Sequence, residues 1–339
     1  MQNEKIIIRF ATINDIEHVM EFLKKNWFDN HVMANSFELM QYEHGWNGSF
    51  TYVIAEGTKT RNIYGVCGYL PYSSSSEQID IGAGIWKAIN SSQFLLGTEI
   101  LKFVQNNTNC RMFACCGTNP KTDRFRKLLG HTIGNLNHFY RLSDKKQYHI
   151  AIVHKKTITD TEGLPNVLVP IKSYSEFITL FDVNRFKNRI PFRDNIYIKH
   201  RYFEHIKYKY LLYGIMSGNT VSSVIIGREN VVNDTKVFRI VDFIGNEIDL
   251  IHISCSLQCL MDLHEYEYVD FYNYGIDKEI MLRAGFVLRK LDDDNIIPNY
   301  FEPFVQKNVE IRFSTNVDSS TKFYMFKADG DQDRPNTMV

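Results

Sequence analysis

Apolar positions along this chain follow two rhythms. Ile6–Phe10, Ile79–Trp86 and Arg111–Cys116 are short, largely apolar runs of strand length. Phe50–Ala55 and Tyr64–Leu70 add a pair of strands around a turn containing Gly57. Between these runs the period changes. Ile16, Val19, Met20 and Leu23 recur at helical spacing behind Thr12 and Asn14, which predicts a helix from about Asp15 to Trp27. A second helix is predicted from about Ser92 to Gln105, and a short one over Asp123–Leu129 is stopped by Gly130. Tyr140–Leu142 and Tyr148–Val153 are predicted to close this half as antiparallel strands.

The second half repeats the plan. Tyr210–Met216 and Val221–Gly227 flank a Gly218–Asn219 turn, and Val237–Ile244 is the next strand. A helix near Asp249–His264, a strand at Tyr268–Tyr272 and a helix over Lys278–Ala284 ended by Gly285 follow. The same ordered series in both halves points to an internal duplication. Between the copies, Thr157, Thr159, Thr161, Gly163, Pro165 and Pro170 mark a predicted linker. The expected fold class is mixed α/β, with domains over residues 1–156 and 171–339 joined by 157–170. Each is expected to be a mostly antiparallel mixed sheet flanked by helices.

Length and charge narrow the function. The 339 residues exceed what one core usually serves, roughly 250–300, and an apolar fraction of 44% can fill two. Lys+Arg and Asp+Glu are each 39, a balance that argues against a nucleic-acid binder or a polybasic membrane-surface protein. No apolar run reaches the ~18–20 residues of a membrane span, and MQNEKIIIRF lacks a signal-peptide layout, so a cytoplasmic location is expected. Cys67, Cys110, Cys115, Cys116, Cys255 and Cys259 form no C-x-x-C pair and no zinc spacing, so reduced thiols and no metal are expected.

Strand–turn–strand, long strand, helix, strand, then a helix ending in Leu-Gly or Ala-Gly-Phe is the order of the GNAT acyltransferase fold. The first half resembles that family through Asn119 followed by Leu128-Leu129-Gly130. Over the whole chain, IGAGIWKAI, LLGTEIL, LGHTIGNLNHFYRL, RIVDFIG, IIPNYFEPF and KADGDQDRPN look like tandem-GNAT proteins of bacterial surface-polysaccharide (O-antigen) clusters. The resemblance implies transfer of an acyl group, acetyl or 3-hydroxybutanoyl-like, from acyl-CoA to the amino group of a dTDP-linked 3-amino-3,6-dideoxyhexose. Two features depart from the family. Of its pyrophosphate loop only Gly97 remains, with Ser92 and Leu95 at the other positions, and its usual tyrosine acid is Arg126 here. Two other functions stay open: a Fem-like aminoacyl-tRNA-dependent transferase, and a binding protein without catalysis.

Candidate residues follow. The unpaired amides of a helix start bind phosphate. The first-half helix opens with Asn90-Ser91-Ser92-Gln93, whereas Glu247 and Asp249 precede its counterpart, so acyl-CoA is expected on the first domain. Ile85, Trp86, Leu96, Gly97, Thr98 and Asn119 are the expected coenzyme contacts, with an oxyanion donor around Ile85–Trp86. Arg239 and Asp242 stand three apart on one strand and are expected to point to opposite faces. Asn299, Tyr300 and Glu302 lie in an aromatic loop, where a carboxylate is partly desolvated. Asp329, Asp331, Gln332 and Arg334 fill a polar C-terminal string suited to sugar hydroxyls and a phosphate. Arg239, Asn299, Tyr300 and that string are the expected sugar contacts. Glu302, Asp242 and His31 are the candidates for the proton acceptor.

Overall fold

The computed structural model describes residues 4–45, 48–74, 78–89, 93–159, 161 and 163–337. The chain divides into two units. Unit 1 takes Met1–Gly134, Arg312–Thr321 and Asp329–Val339, and unit 2 takes Asn135–Ile311 and Lys322–Ala328.

In unit 1, β1 (Ile6–Phe10) is followed by α1 (Ile16–Asn26), whose Ile16, Val19, Phe22 and Leu23 are buried along one face. The short helices α2 (Val32–Asn35) and α3 (Phe37–His44) come next. β2 (Tyr52–Gly57), β3 (Ile63–Pro71) and β4 (Ile79–Ala88) form an antiparallel meander. α4 (Leu96–Asn107) then crosses over so that β5 (Cys110–Cys116) lies parallel to β4. α5 (Asp123–Leu128) and β6 (Thr132–Asn135) complete the first copy, with Gly130 at φ 74° closing α5. The core packs Ile100, Leu101 and Val104 of α4 on Val53, Ala55, Ile81, Ala83 and Phe113 of the strands.

Unit 2 repeats this order. β7 (Asn137–Leu142) and β8 (Leu168–Ile171) precede α6 (Tyr174–Leu180) and α7 (Asn195–Ile198). β9 (Leu211–Ser217), β10 (Thr220–Val232) and β11 (Thr235–Ile244) form the meander, α8 (Ser254–His264) crosses over, and β12 (Tyr266–Tyr274) lies parallel to β11. α9 (Lys278–Arg283) is closed by Gly285 at φ 85°. β13 (Val287–Leu288) and the hairpin β14 (Tyr300–Phe301) and β15 (Phe304–Val305) end the copy. Two late strands remain, β16 (Arg312–Thr315) and β17 (Met325–Phe326). The sheet of unit 1 runs β1-β2-β3-β4-β5-β16-β6 and that of unit 2 β13-β7-β12-β11-β10-β9-β8, with β17 on β12.

The domain limits therefore differ from those expected. The first unit ends at Gly134 rather than 156, because β7 pairs with β12 in the sheet of unit 2. The C-terminal string belongs to unit 1, whose β5 takes β16 as its neighbour. The end of the expected linker, residues 167–170, is ordered into the sheet of unit 2, while the described residues before it are mostly exposed. β8 pairs with β9, and the Ser256 hydroxyl accepts from the Val167 amide (2.8 Å) and donates to the Leu164 carbonyl (2.8 Å). Tyr148–Val153 is not a strand. The buried Glu267 carboxylate accepts from the amides of His149, Ile150 and Ala151, so a side chain does the work of a ladder there.

Three buried histidines set an acid limit. Burial pushes His44, His131 and His138 down to about 4 from the ordinary 6.5. An unfolded chain takes up protons on all three as pH falls through 6.5, while the folded chain does so only near 4. Stability is therefore full above 6.5 and is lost between 6.5 and 4, by up to about 3 kcal/mol per histidine. Urea unfolding followed across pH 7.5 to 4.5 is expected to show a steep fall in midpoint, shallower in His131→Asn.

Candidate functional site

The pairing of β4 with its neighbours changes in mid-strand. β4 pairs with β5 from Ile79 to Ala83, with one register shift after Ile79, and Ala83 faces Cys115. Beyond that point it pairs only with β3, with Trp86 opposite Cys67 and Ala88 opposite Gly65. The two strands part, and the β4–β5 edge of Gly84–Ala88 has no strand partner among the described residues. At the point of parting β4 carries a bulge. Gly84 and Ile85 together oppose the single residue Gly68 on β3. The Ile89 amide donates to the Tyr64 carbonyl of β3 (2.9 Å), so alternation along the strand turns the amides of Trp86 and Ala88 into the gap.

The equivalent gap in unit 2 is filled. β11 and β12 pair only as far as Ile240 and Phe271. Further along, Asn273 faces Asn137 of β7 across one edge of β12 and Phe326 of β17 across the other. β17 thus lies where β11 has left. Phe326 is fully buried and stacks on Phe271 at 5.6 Å, and the Arg189 guanidinium covers Tyr324 at 3.8 Å.

The helix starts do not separate the units by charge. Asn90, Ser91 and Ser92 lie outside the described residues. α4 begins at Leu96 rather than Ser92, and its first turn carries Glu99, paired with Lys102 at 3.1 Å. α8 has no carboxylate in its first turn, since Glu247 and Asp249 stand on the preceding 3-10 turn. Ser254 at the start of α8 is wholly buried under Arg141, which donates to its hydroxyl (2.9 Å) and its carbonyl (3.1 Å).

Around α4 the expected coenzyme residues take varied parts. Leu96 and Thr98 face the core, and the Thr98 amide is already bonded to the Leu95 carbonyl at 2.8 Å. The amides of Leu96 and Gly97 are the first-turn donors that remain. Leu95 holds a left-handed backbone (φ 58°) at the helix start. Gly97 is small for a local reason. A Cβ there would lie 3.0 Å from Cζ2 of Trp86, whose Nε1 donates to the Gly97 carbonyl at 2.9 Å. Ile85 is buried in the bulge. Asn119 is exposed and caps the turn after β5, its side-chain oxygen accepting from the Lys121 amide (3.0 Å).

Among the candidate proton acceptors, Asp242 is a structural ion. It is wholly buried, pairs with Arg193 at 2.9 Å, and accepts from the Tyr202 hydroxyl and the Phe243 amide. His31 is buried, and its Nδ1 accepts from the Met33 amide at 3.2 Å as the cap of α2. Burial lowers its pKa against the opposing pull of Asp331, so the ring is neutral with its proton on Nε2 and no lone pair is left to act as base. Glu302 is half-buried in the turn between β14 and β15. Its neighbours Phe301 and Phe304 pack on the core cluster of Tyr140, Ile150 and Tyr268.

Arg239 and Asp242 share a face rather than standing on opposite ones. A bulge places Asp242 opposite Ile226 but Ile240 opposite Gly227, and this extra residue reverses the count of two. Phe238, Ile240 and Phe243 line the core on the other side. Arg239 is locked in place, donating twice to Asp270 (2.8 Å each) and once to the Asn299 carbonyl (2.5 Å). Burial alone raises the Asp270 carboxyl, but Arg239 and His138 overcome it and hold the pKa well below the usual carboxylate range. Lys327 also donates to the Asn299 carbonyl (2.7 Å) and lies over the Tyr300 ring at 5.3 Å. Arg239 is therefore a core ion rather than an anion receptor.

In unit 1 the C-terminal string is built in. Arg334 pairs with the buried Glu43, and the Tyr72 hydroxyl donates to the Asp329 carbonyl at 3.0 Å. The Asp331 carboxylate accepts from Nε2 of the Gln332 side chain (2.7 Å), which occupies the space beside Gly117. Sequence reasoning missed Glu43, His44, Tyr52 and Tyr72 on this face. The signal was the row of strand glycines, Gly68, Gly82 and Gly84, which marks close approach. A Cβ on Gly82 would lie 2.2 Å from the Tyr72 hydroxyl, and one on Gly84 4.0 Å from the His44 ring.

No family model matches the chain, and no curated protein matches it either. Solved structures do. A GCN5-related N-acetyltransferase from Anabaena variabilis ATCC 29413 is similar over 92% of this chain and 72% of its own, with a TM-score of 0.55 and 13% identity. A protein of unknown function from Enterococcus faecalis V583, described as a probable N-acyltransferase, is similar over 91% and 72%, with a TM-score of 0.54 and 8% identity. Saccharomyces cerevisiae N-myristoyltransferase, solved with bound myristoyl-CoA, covers 93% of the chain at a TM-score of 0.46, too loose a likeness to argue from. The fold is the mixed α/β fold of GCN5-related N-acetyltransferases, spread over nearly the whole chain. Among the described residues no helix is long and apolar enough to cross a membrane, and no group of His, Cys, Asp and Glu is arranged to hold a metal.

Proposed function

We propose that this protein is an acyl-CoA-dependent N-acyltransferase whose coenzyme binds unit 1. One observation carries the reading. β4 and β5 part beyond Ala83 and Cys115 at a bulge, whereas the matching gap in unit 2 holds β17. A gap between two parallel strands offers unpaired backbone donors and acceptors to an extended chain bearing amides, which is what the pantetheine arm of CoA is. The Leu96 and Gly97 amides at the start of α4 supply donors for its phosphates. The acceptor is a primary amine, and the sequence resemblance makes it that of a dTDP-linked 3-amino-3,6-dideoxyhexose.

The reaction is direct transfer. The amine attacks the thioester carbon, a C–N bond forms, the C–S bond breaks, and CoA leaves as the thiolate. The Trp86 or Ala88 amide turned into the gap receives the oxyanion, a contribution of about 3 kcal/mol for one such donor. A thiolate of pKa about 8.5 leaves without an acid, and an amine of pKa near ~8 is partly neutral at pH 7.

Titration with acetyl-CoA is expected to give saturable binding at one molecule per chain. Thiol release should follow when the amino sugar is added, and binding without release would favour a protein that does not catalyse. For the proton acceptor Glu302 remains, with Asp242 and His31 engaged elsewhere. Glu302→Gln is expected to lower turnover roughly 10²-fold with little change in KM, and the loss should shrink as pH rises. Normal turnover of Glu302→Gln at pH 7 would leave the proton to water.

A further inference from the structure

Arg126 carries a charge that the fold does not need. It stands on α5, is 4% exposed, and forms no ion pair with a carboxylate among the described residues. Its partners are neutral: Nε donates to the Thr122 hydroxyl at 3.2 Å and Nη1 to the Ser314 hydroxyl at 2.7 Å. His131 nearby is uncharged at pH 7, since burial and then the Arg126 charge bring it down to about 4. A buried cation without an anion keeps the cost of leaving water, and an apolar side chain of similar volume would not.

The guanidinium bridges the place where β4 and β5 part. On one rim its carbon lies 5.1 Å from the ring centre of Trp86, which stands on β4 beyond the last pair with β5. On the other rim Ser314 of β16 is the register partner of Cys115, the last residue of β5 that pairs with β4. Trp86 and Cys115 pack with α4 on one face of the sheet, and Ser314 points to the same face as its partner. The opening between the strands is thus spanned by one side chain. The Trp86 ring also reaches the start of α4, where its Nε1 donates to the Gly97 carbonyl at 2.9 Å. Arg126 therefore lies one indole ring away from the first-turn amides of Leu96 and Gly97.

Resting on the proposed binding of acyl-CoA to unit 1, we infer that Arg126 is a latch across the coenzyme gap: its guanidinium leaves Ser314 when acyl-CoA enters and pairs with the coenzyme's pyrophosphate. An extended arm cannot lie between β4 and β5 while a side chain joins their rims. Arginine suits the exchange, because its long stem swings while α5 stays in place, and its planar fork bonds phosphate bidentately. The closed state offers it a neutral hydroxyl and a ring face, and the open state a charged partner. Only a ligand that carries phosphate interacts so differently with the two states. The latch therefore favours the whole coenzyme over its thioester arm alone.

S-acetylpantetheine, which has the thioester arm without the phosphates, separates the two states. Arg126→Met is expected to weaken acetyl-CoA binding about 10-fold, and to leave S-acetylpantetheine binding unchanged or up to about 10-fold tighter. Calorimetric titration reads both. Ser314→Ala keeps the cation and removes its anchor on the far rim. It is expected to raise the association rate of acetyl-CoA several-fold, read by stopped flow on tryptophan emission. Equal weakening of both ligands in Arg126→Met would overturn the inference, because the guanidinium would then serve the arm and not the phosphates. So would unchanged acetyl-CoA binding in Arg126→Met, or an unchanged association rate in Ser314→Ala. Failure of the parent protein to bind acetyl-CoA at all would instead remove the reading of unit 1 as the coenzyme domain, and the inference with it.

Discussion

Gly97→Glu is expected to weaken acetyl-CoA binding at least 100-fold. Gly97 stands in the first turn of α4, where its own amide and that of Leu96 are not used inside the helix. A carboxylate there meets the positive helix end first and repels a pyrophosphate. Its Cβ also starts 3.0 Å from the Trp86 ring, which borders the gap, so the side chain crowds the route of the pantetheine arm as well. Gly97→Ala separates the two effects. It brings the contact without the charge and is expected to cost less than tenfold. Phe326→Ala opens the filled gap of unit 2 instead. It is expected to cost about 3–5 kcal/mol of stability while the stoichiometry stays at one coenzyme per chain. Calorimetric titration reads all three. Unchanged affinity in Gly97→Glu, or two coenzymes bound per chain, would show that the coenzyme is not where β4 and β5 part.

The second large effect concerns stability. Asp270→Asn is expected to destabilise unit 2 by about 3–5 kcal/mol, because it leaves the Arg239 guanidinium buried without a counterion. Arg239 is 5% exposed, and its other hydrogen bond among the described residues goes to the Asn299 carbonyl. His138, whose Nε2 lies 3.3 Å from Asp270 and whose ring stacks on Tyr272 at 3.9 Å, loses its neighbour too. Arg239→Met with Asp270→Leu should recover much of the loss, since an apolar pair of similar volume removes both charges at once. Denaturant unfolding of the single and double variants decides the matter. A single variant that keeps its stability but loses ligand affinity would return Arg239 to the role of an anion receptor.

Much of the fold was written in local periodicity. The strand pair, long strand, helix, next strand and glycine-stopped helix were legible in both halves, because each element needs only its own apolar spacing and a stop signal. Ile16–Asn26, Cys110–Cys116 and Lys278–Arg283 fall within a residue or two of the spans read from the sequence. Gly130 and Gly285 were readable as helix stops because each holds a positive φ that other residues resist.

What the sequence could not yield depends on partners distant along the chain. Nothing local in Asn137–Leu142 says that it pairs with Tyr268–Asn273, or in Arg312–Thr315 that it pairs with β5. The faces of Arg239 and Asp242 were misread because a single bulged residue inverts an alternation that counts by two. Charged candidates were misread for a related reason. Asp242, Arg239 and Arg334 are ions of the interior, and whether a charge meets water, a ligand or a counterion is settled by Arg193, Asp270 and Glu43, which only folding brings near. By itself the sequence determined the repeated order of elements and the helix stops. The tertiary structure alone decided which gap stays between its strands and which is closed by Met325–Phe326, because strand partners far apart in sequence are chosen by long-range packing.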